Sequence, residues 1–252
     1  MLVLEGLVIF ALILVPALLG VILVQRYFPT SLHQFSFAAA EPIWAILGVT
    51  YGLLLAFIVV NLWTDLQSAQ GTVQDEANDL VILYELTYGL PEAAAPVELR
   101  GEIFRYARLI ADEEWPLLGE HESSPRADAA MDALWMSYLR LDTMLMKTNT
   151  SYEESLSLLS ELQSARNRRI DAAHNLVPTV LWVVLLSGVA LMIVTIWFTG
   201  PEDLRTHLLM AAVLGISLAS ILFLIRAFNN PFQGDVRVNA DPIERAVERF
   251  QE

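Results

Sequence analysis

Residues 42–64 read PIWAILGVTYGLLLAFIVVNLWT and contain no charged side chain. Three further stretches share this property, and they lie between Glu5 and Arg26, between Asp171 and Glu202, and between Arg205 and Arg226. About 20 helical residues cross the hydrocarbon core of a typical bilayer, and each stretch is long enough. Because backbone polar groups in lipid must be satisfied within their own segment, all four stretches are predicted to be helices.

The predicted spans lie near 4–25, 41–63, 176–198 and 206–228. The first span differs from a secretory signal peptide in two respects. Glu5 is the only early charge, so a basic leading region is missing, and the apolar run is too long for a signal peptide. We therefore expect this span to be retained.

The distribution of arginine predicts which side of the membrane each segment occupies. Four spans place both termini and residues 64–175 on one side, and the two loops on the other side carry only Arg26 and Arg205 as basic residues. Basic residues concentrate near the third span and in the tail, at Arg166, Arg168, Arg169, Arg237, Arg245 and Arg249. The positive-inside rule then predicts that both termini and residues 64–175 are cytoplasmic, with Arg166, Arg168 and Arg169 as topology anchors.

The segment between the second and third spans carries helical periodicity throughout. Apolar residues recur at three-, four- and seven-residue steps after Trp63, which predicts that span 2 continues as one helix to near Gly89. Further helices are predicted from Pro96 to Pro116, from a Ser124-Pro125 start, and from a Ser151–Glu154 capping box towards span 3, with a kink at Pro178.

The sequence thus predicts an all-α membrane protein with four transmembrane helices, in which spans 2 and 3 extend into a cytoplasmic helical bundle. Four parts follow from this scheme. They are a first transmembrane pair (1–63), a cytoplasmic helical domain (64–175), a second transmembrane pair (176–228) and a cytoplasmic C-terminal tail (229–252).

Composition excludes several classes of function. A formal net charge of -14 argues against nucleic acid as a partner, and the absence of cysteine excludes thiolate chemistry. No hydrolase, metalloprotease or nucleotide-binding motif occurs, so we expect neither an enzyme nor a cofactor. No two histidines have metal-ligand spacing on one helix, although His33 and His207 lie in or beside the two external loops.

One face of span 2 mixes apolar and polar residues. At about 100° per residue it presents Thr50, Leu54, Phe57 and Asn61. Around an oligomer axis this stripe would form a hydrophobic constriction above a polar ring, whereas ordinary helix packing explains the same pattern. Glu41 lies at the external mouth of this span, either as a cation-attracting ring or as a favourable charge at a helix N-terminus.

The same span carries Gly48 and Gly52, which form a small-xxx-small pair. Such pairs let two helices approach closely in lipid, so we expect them at a helix-packing contact.

Four short motifs occur in order along the chain. They are Gly-x-Leu-Leu-Ala-Phe from Gly52 to Phe57, Glu114-Trp115-Pro116, Leu181-Trp182, and the tail motif Asn230-Pro231-Phe232-Gln233-Gly234. In order and placement they resemble the bacterial bestrophin-like domain family, and more distantly the bestrophin ion channels. The resemblance extends over nearly the full length of the chain.

This resemblance implies a homo-oligomer, pentameric in bestrophins, with span 2 lining a central pore and Thr50, Leu54, Phe57 and Asn61 facing it. The chain also departs from bestrophins. The aromatic and basic residues that follow the bestrophin neck are largely missing, and Gln70 stands in that stretch. The bestrophin calcium clasp needs a run of acidic residues after the tail motif, but only Asp235 follows closely and Asp241 comes later.

Two functions are compatible with these features of the sequence. The first is a homo-oligomeric channel in membrane lipid, conducting an ion whose identity the sequence does not specify. The second is a non-conducting oligomeric scaffold or sensor that binds a cytosolic partner through its acidic helical domain.

Overall fold

The computed structural model describes residues 2–27, 37–91, 95–141, 146, 149–175, 177–201 and 203–251, and these residues include helices but no strand. The side chains of residues 2, 3 and 37–41 are outside this description. The helices are α1 (Leu2–Tyr27), α2 (Phe37–Leu86), α3 (Pro96–Leu109), α4 (Trp115–Gly119), α5 (Pro125–Leu139), α6 (Thr150–His174), α7 (Thr179–Phe198), α8 (Leu204–Phe228) and α9 (Asp241–Arg249).

Among the described residues, four segments of helix are long and apolar enough to cross a membrane, and they overlap the four predicted spans. Helix α2 is 50 residues long, or about 75 Å at 1.5 Å per residue. A hydrocarbon core is only about 30 Å thick, so α2 continues well beyond it. The predicted fold, an all-α membrane protein whose second and third spans extend into a helical bundle, is confirmed.

The described chain divides into two compact units. One comprises Met1–Trp63 and Leu176–Asn229, and the other comprises Thr64–Asn175 and Asn230–Glu252. Helix α2 begins in the first unit and ends in the second.

In the first unit, small residues let α1 and α8 pack closely. Ala211, Gly215 and Ala219 repeat at four-residue spacing on α8 and are buried, as is Ala17 on α1. A Cβ at Gly215 would lie 3.1 Å from Leu14 Cδ1 and 3.7 Å from Ala17 Cβ. In lipid, where the hydrophobic effect does not drive helices together, such close packing is a main source of association.

In the second unit, the lower part of α2 buries one continuous apolar stripe. Its residues recur at three- and four-residue steps, and they are Leu66, Ala69, Val73, Ala77, Leu80 and Leu83. Helix α6 contributes Leu158, Leu159, Leu162 and Ala165 to the core of this unit. Burial of these side chains supplies the main stabilisation of the bundle, at roughly 1.5–3 kcal/mol for each leucine or valine.

Two predicted helix ends differ from the structure. The helix expected to end at Pro116 passes instead through a π-helical turn, Ile110–Glu114, into α4. Pro116 is tolerated because it lies in the first turn of α4, where its missing N–H is not required. The cap of α6 is Asn149, whose Oδ1 accepts from Tyr152 N at 2.9 Å, rather than Ser151.

The start at Ser124-Pro125 is confirmed, since Ser124 Oγ accepts from Ala127 N. The kink predicted at Pro178 is instead an interruption of the helix. Helix α6 ends at His174, and Pro178 precedes the first residue of α7. The tail contains α9, which the sequence analysis did not predict.

Candidate functional site

The four predicted pore residues lie on one side of α2. Thr50, Phe57 and Asn61 are exposed in the single chain and Leu54 is partly exposed. The Phe57 side chain retains 61% of its accessible surface. Among the described residues, nothing covers most of this stripe, and packing between those residues does not account for it.

A neighbouring face of α2 is fixed against α7. Tyr51, the first of a buried set with Leu55, Ile58 and Leu62, donates its hydroxyl to the Leu185 carbonyl at 2.6 Å. Its ring lies so close to Gly188 that a Cβ there would be 2.2 Å from the Tyr51 ring. This contact sets the rotation of α2 about its own axis, and that rotation leaves the Thr50–Asn61 stripe outside.

The glycine pair predicted on α2 has few close neighbours among the described residues. A Cβ at Gly48 would meet only Met192 Cε, at 3.9 Å, and a Cβ at Gly52 would meet nothing within 4 Å. Close approach of another helix at Gly52 stays a prediction. Glu41 belongs to α2, and its side chain is among those outside the description.

A cluster of buried charges lies in the second unit, and we call it the ionic core. Arg169, on α6, is fully buried and binds Glu76, on α2, through two hydrogen bonds: Nε to Oε2 at 2.6 Å and Nη2 to Oε1 at 3.0 Å. Glu76 is fully buried as well. This fork-to-carboxylate geometry is the strongest form of side-chain ion pair.

The π-helical turn brings a second carboxylate to the same place. Glu114, also fully buried, accepts from Arg166 Nη2 at 3.0 Å and Nε at 3.2 Å, and its Oε1 lies 3.5 Å from Arg169 Nη1. Arg166 Nη1 donates further to Asp128 on α5 at 2.6 Å. The ionic core thus joins α2, the π-helical turn, α5 and α6.

Burial and pairing act in opposite directions on these guanidinium groups. Burial lowers the pKa of Arg169, but the carboxylates of Glu76 and Glu114 more than offset it and hold the pKa above its ordinary value. Burial also raises the pKa of the neighbouring Tyr106 phenol well above 10. The ionic core therefore holds charged arginines beside a neutral tyrosine at physiological pH.

The tail motif folds onto the same region. Asn230 is buried, donating Nδ2 to the Gly119 carbonyl at 3.1 Å and accepting from Phe232 N through Oδ1 at 3.1 Å. Gly234 has φ 101°, a left-handed conformation that glycine adopts without strain. With Pro231, whose carbonyl accepts from Val238 N at 2.8 Å, these residues form a compact turn.

Trp115 connects that turn to the ionic core. Its ring meets the Phe232 ring edge to face with centroids 5.7 Å apart, and the Arg169 guanidinium carbon lies 5.4 Å from the Trp115 centroid. Two sequence motifs, Glu114-Trp115-Pro116 and the tail motif, therefore meet at one site around Arg169.

Arg166, Arg168 and Arg169 are predicted to be topology anchors, and their side of the membrane stays a prediction. The structure adds that Arg166 and Arg169 are buried in the ionic core, whereas Arg168 between them is exposed. The available signal was their three-residue spacing, which places both on one face of α6. Their partners are far away in sequence, so spacing alone did not identify them.

A polar cavity of about 440 Å³ lies beside the ionic core, and we call it the acidic cavity. Asp75, Asn78 and Asp79 of α2 line it opposite Glu161 and Arg168 of α6. Burial and the negative charges of Glu161, Asp75 and Glu76 raise the pKa of Asp79 to about 6, against the opposing effect of Arg168.

Candidate metal ligands are dispersed in the described part of the chain. No group of three acidic, histidine or cysteine side chains is placed there to hold an ion. His207 is unsuited to binding metal because both ring nitrogens are engaged. Nε2 lies 2.7 Å from the Ile196 carbonyl and Nδ1 lies 3.0 Å from Gln25 Nε2. His33 lies outside the described residues.

Known structures share this fold. Two point-mutant crystal structures of a bacterial bestrophin homologue from Klebsiella pneumoniae match with TM-scores of 0.70 and 0.72, each at 15% identity and over 98% of this chain. The matches cover 100% and 97% of those chains. A mutant membrane protein of 16% identity matches with a TM-score of 0.70, over 98% of this chain and 97% of its own.

Sequence comparison identifies the family directly. No curated protein matches the chain by sequence. The sequence profile of the Bestrophin-like domain matches residues 11–243, which is most of the chain. The chain therefore belongs to the bestrophin-like domain family.

Proposed function

We propose that this protein is the subunit of a homopentameric ion channel in a bacterial inner membrane, with α2 lining a central pore. Both termini and the helical bundle lie on the cytoplasmic side in this proposal, as the positive-inside rule favours. The family and the fold support a bestrophin-like channel in general. The exposed stripe on α2 supports the proposal that this helix lines the pore.

The uncovered stripe has the chemistry of a gated pore. Phe57 and Leu54 would narrow the axis to an apolar neck, where loss of water closes conduction. Asn61, one turn further on, would form a ring of amides below it. Thr50 and Asn61 lie on the same side of α2 as Phe57. Exposing these polar side chains to lipid would cost free energy, so a lipid-facing stripe is disfavoured.

Carboxylates also occur on the part of α2 that lies in the second unit. Asp75 is exposed there and lines the acidic cavity. Five copies would line the inner vestibule with carboxylates. Together with Glu41 at the opposite mouth and a net charge of -14, this arrangement favours cations as the permeant species.

The absence of cysteine makes the pore proposal directly testable. Single substitutions Phe57→Cys and Asn61→Cys are introduced, and proteoliposome flux is recorded before and after a charged thiol reagent is added. We expect the reagent to change flux at both positions. The control is Val49→Cys, which is exposed but lies about 80° around the helix from Phe57.

Each outcome bears on the proposal. Unchanged flux at Phe57 and Asn61, with labelling verified by mass, would remove this stripe from the pore. A folded oligomer that conducts nothing under any condition would favour the scaffold interpretation, in which the acidic bundle binds a cytosolic partner.

A further inference from the structure

An apolar groove opens on the surface of the first unit, between α1, α7 and α8. Its cavity measures about 490 Å³ and is lined by aliphatic side chains and Trp182. Val8 and Leu12 on α1 and Leu186 on α7 are each at least half exposed along it. The groove therefore faces the surroundings of the helices, which are acyl chains in a membrane.

The length of the groove matches a lipid chain within one leaflet. Along α1 the lining runs from Leu4 to Ile13, or about 13 Å of helix. Half of a typical hydrocarbon core is about 15 Å. A single acyl chain lying along α1 would fill the groove and stop near the bilayer centre.

Two opposite charges mark one end of the groove. Glu5 lies near the start of α1 and Arg226 near the end of α8, and both line the cavity. Arg226 Nη2 lies 3.5 Å from Glu5 Oε2, and the two side chains are 43% and 32% exposed respectively. A charge-assisted hydrogen bond is typically 2.7–2.9 Å long, so this loose pair retains capacity for other partners.

A pair of this kind is complementary to a zwitterion. Arginine offers several N–H donors suited to a phosphate, and a carboxylate accepts hydrogen bonds from a primary ammonium. An anionic headgroup would be repelled by Glu5, and a quaternary ammonium has no N–H to donate. The order of groups also fits, because the charges lie at the membrane surface end and the apolar lining lies below them.

We propose that the groove is a binding site for a phosphatidylethanolamine-type lipid, with one acyl chain along α1, the phosphate on Arg226 and the ammonium on Glu5. This site is independent of the pore. It depends only on the membrane location and on the contacts of the first unit.

The test uses the full-length protein in detergent with synthetic phosphatidylethanolamine, phosphatidylcholine and phosphatidylglycerol of matched chains. Retention of each lipid is measured by native mass spectrometry. We expect phosphatidylethanolamine to be retained most strongly. Glu5→Gln should reduce its preference over phosphatidylcholine about fivefold, as expected for loss of one partly exposed charged contact. Arg226→Gln should weaken retention of all three lipids.

A pair of tryptophan substitutions separates the groove from the general surface. Val8→Trp fills the groove and should abolish the selective retention. The control Leu209→Trp, at an exposed position of α8 that does not line the groove, should leave it unchanged. Equal retention of the three lipids, or selective retention that survives Val8→Trp, would overturn the proposal. Loss of oligomer mass with Val8→Trp would also overturn it, because a second copy would then occupy the groove.

Discussion

Arg169 is fully buried in the second unit and is held there by three different side chains. It binds Glu76 through two hydrogen bonds, approaches Glu114 and stacks near Trp115. A buried ion pair is not by itself a strong source of stability, since both charges lose their hydration. Removing one partner is nevertheless costly, because the other charge then stays buried and unpaired.

Replacing Arg169 with methionine should therefore destabilise the protein by about 3–5 kcal/mol. The measurement is thermal unfolding of the purified protein, followed by tryptophan fluorescence. Arg105→Met is the control, since Arg105 is exposed on α3, and it should change stability by no more than about 0.5 kcal/mol. Equal stability of both variants would contradict the role assigned to the ionic core.

Phe57 is the largest side chain on the uncovered stripe of α2. Truncation by Phe57→Ala should widen the apolar neck and raise basal flux, because a wider constriction dewets less readily. Since Phe57 is 61% exposed, the fold should be little affected. Flux in proteoliposomes checks this, and unchanged conductance in a protein that conducts would show that Phe57 does not limit the pore.

The Tyr51 ring of α2 packs against Gly188 of α7. Gly188→Ala would place a Cβ 2.2 Å from the Tyr51 ring and force the helices apart. We expect a loss of about 1–3 kcal/mol, typical of overpacking. Gly71→Ala, where a Cβ meets nothing within 4 Å, should instead be neutral or stabilising by up to about 1 kcal/mol. A Gly188 variant as stable as wild type would argue against this contact.

Helices α2 and α6 face each other across the acidic cavity, which makes their contact sensitive to pH. The pKa of Asp79 is raised from 3.8 to about 6, so ionised Asp79 disfavours the folded state. This penalty is fully present above pH 6 and disappears as the pH falls towards 4. Because Asp79 is only partly buried, solvent screening limits the penalty to about 1 kcal/mol.

Asp79→Asn removes the charge while keeping the size of the side chain. The variant should unfold at a higher temperature than wild type above pH 6, and the difference should vanish near pH 4. Unfolding midpoints measured across this range check the prediction. A difference that does not change with pH would mean that the charge of Asp79 is not the cause.

The transmembrane helices and the long α2 could be predicted because their signals are local. A membrane span needs about 20 uncharged residues, and apolar residues recur with a period of about 3.6 residues from Trp63 to Tyr84. The ionic core could not be predicted in this way. Arg169 and Glu76 are 93 residues apart, and in sequence each looks like an ordinary surface charge.

The small-residue contacts show the same limit. Gly48 and Gly52 fit the spacing of a packing motif, yet the close contacts in the chain involve Gly188 and Gly215. Spacing identifies a surface that permits close approach, but only the fold shows which helix approaches it. Contacts at Gly52 with a second copy remain a prediction.

Helix α2 contains both the proposed pore stripe and a residue of the ionic core. It begins in the first unit and ends in the second, where Glu76 pairs with Arg169. Through Trp115 and Phe232, the same core contacts the tail motif.

Conduction through an α2-lined pore can be measured as an electrical current. Purified protein is reconstituted into bilayers under salt gradients, and the reversal potential is recorded while cations and anions are exchanged. We predict a current whose reversal potential follows the cation gradient. The shift should be reduced by Asp75→Asn, which removes a carboxylate from the proposed vestibule. A correctly folded oligomer that passes no current, or a reversal potential that follows the anion gradient, would contradict this account.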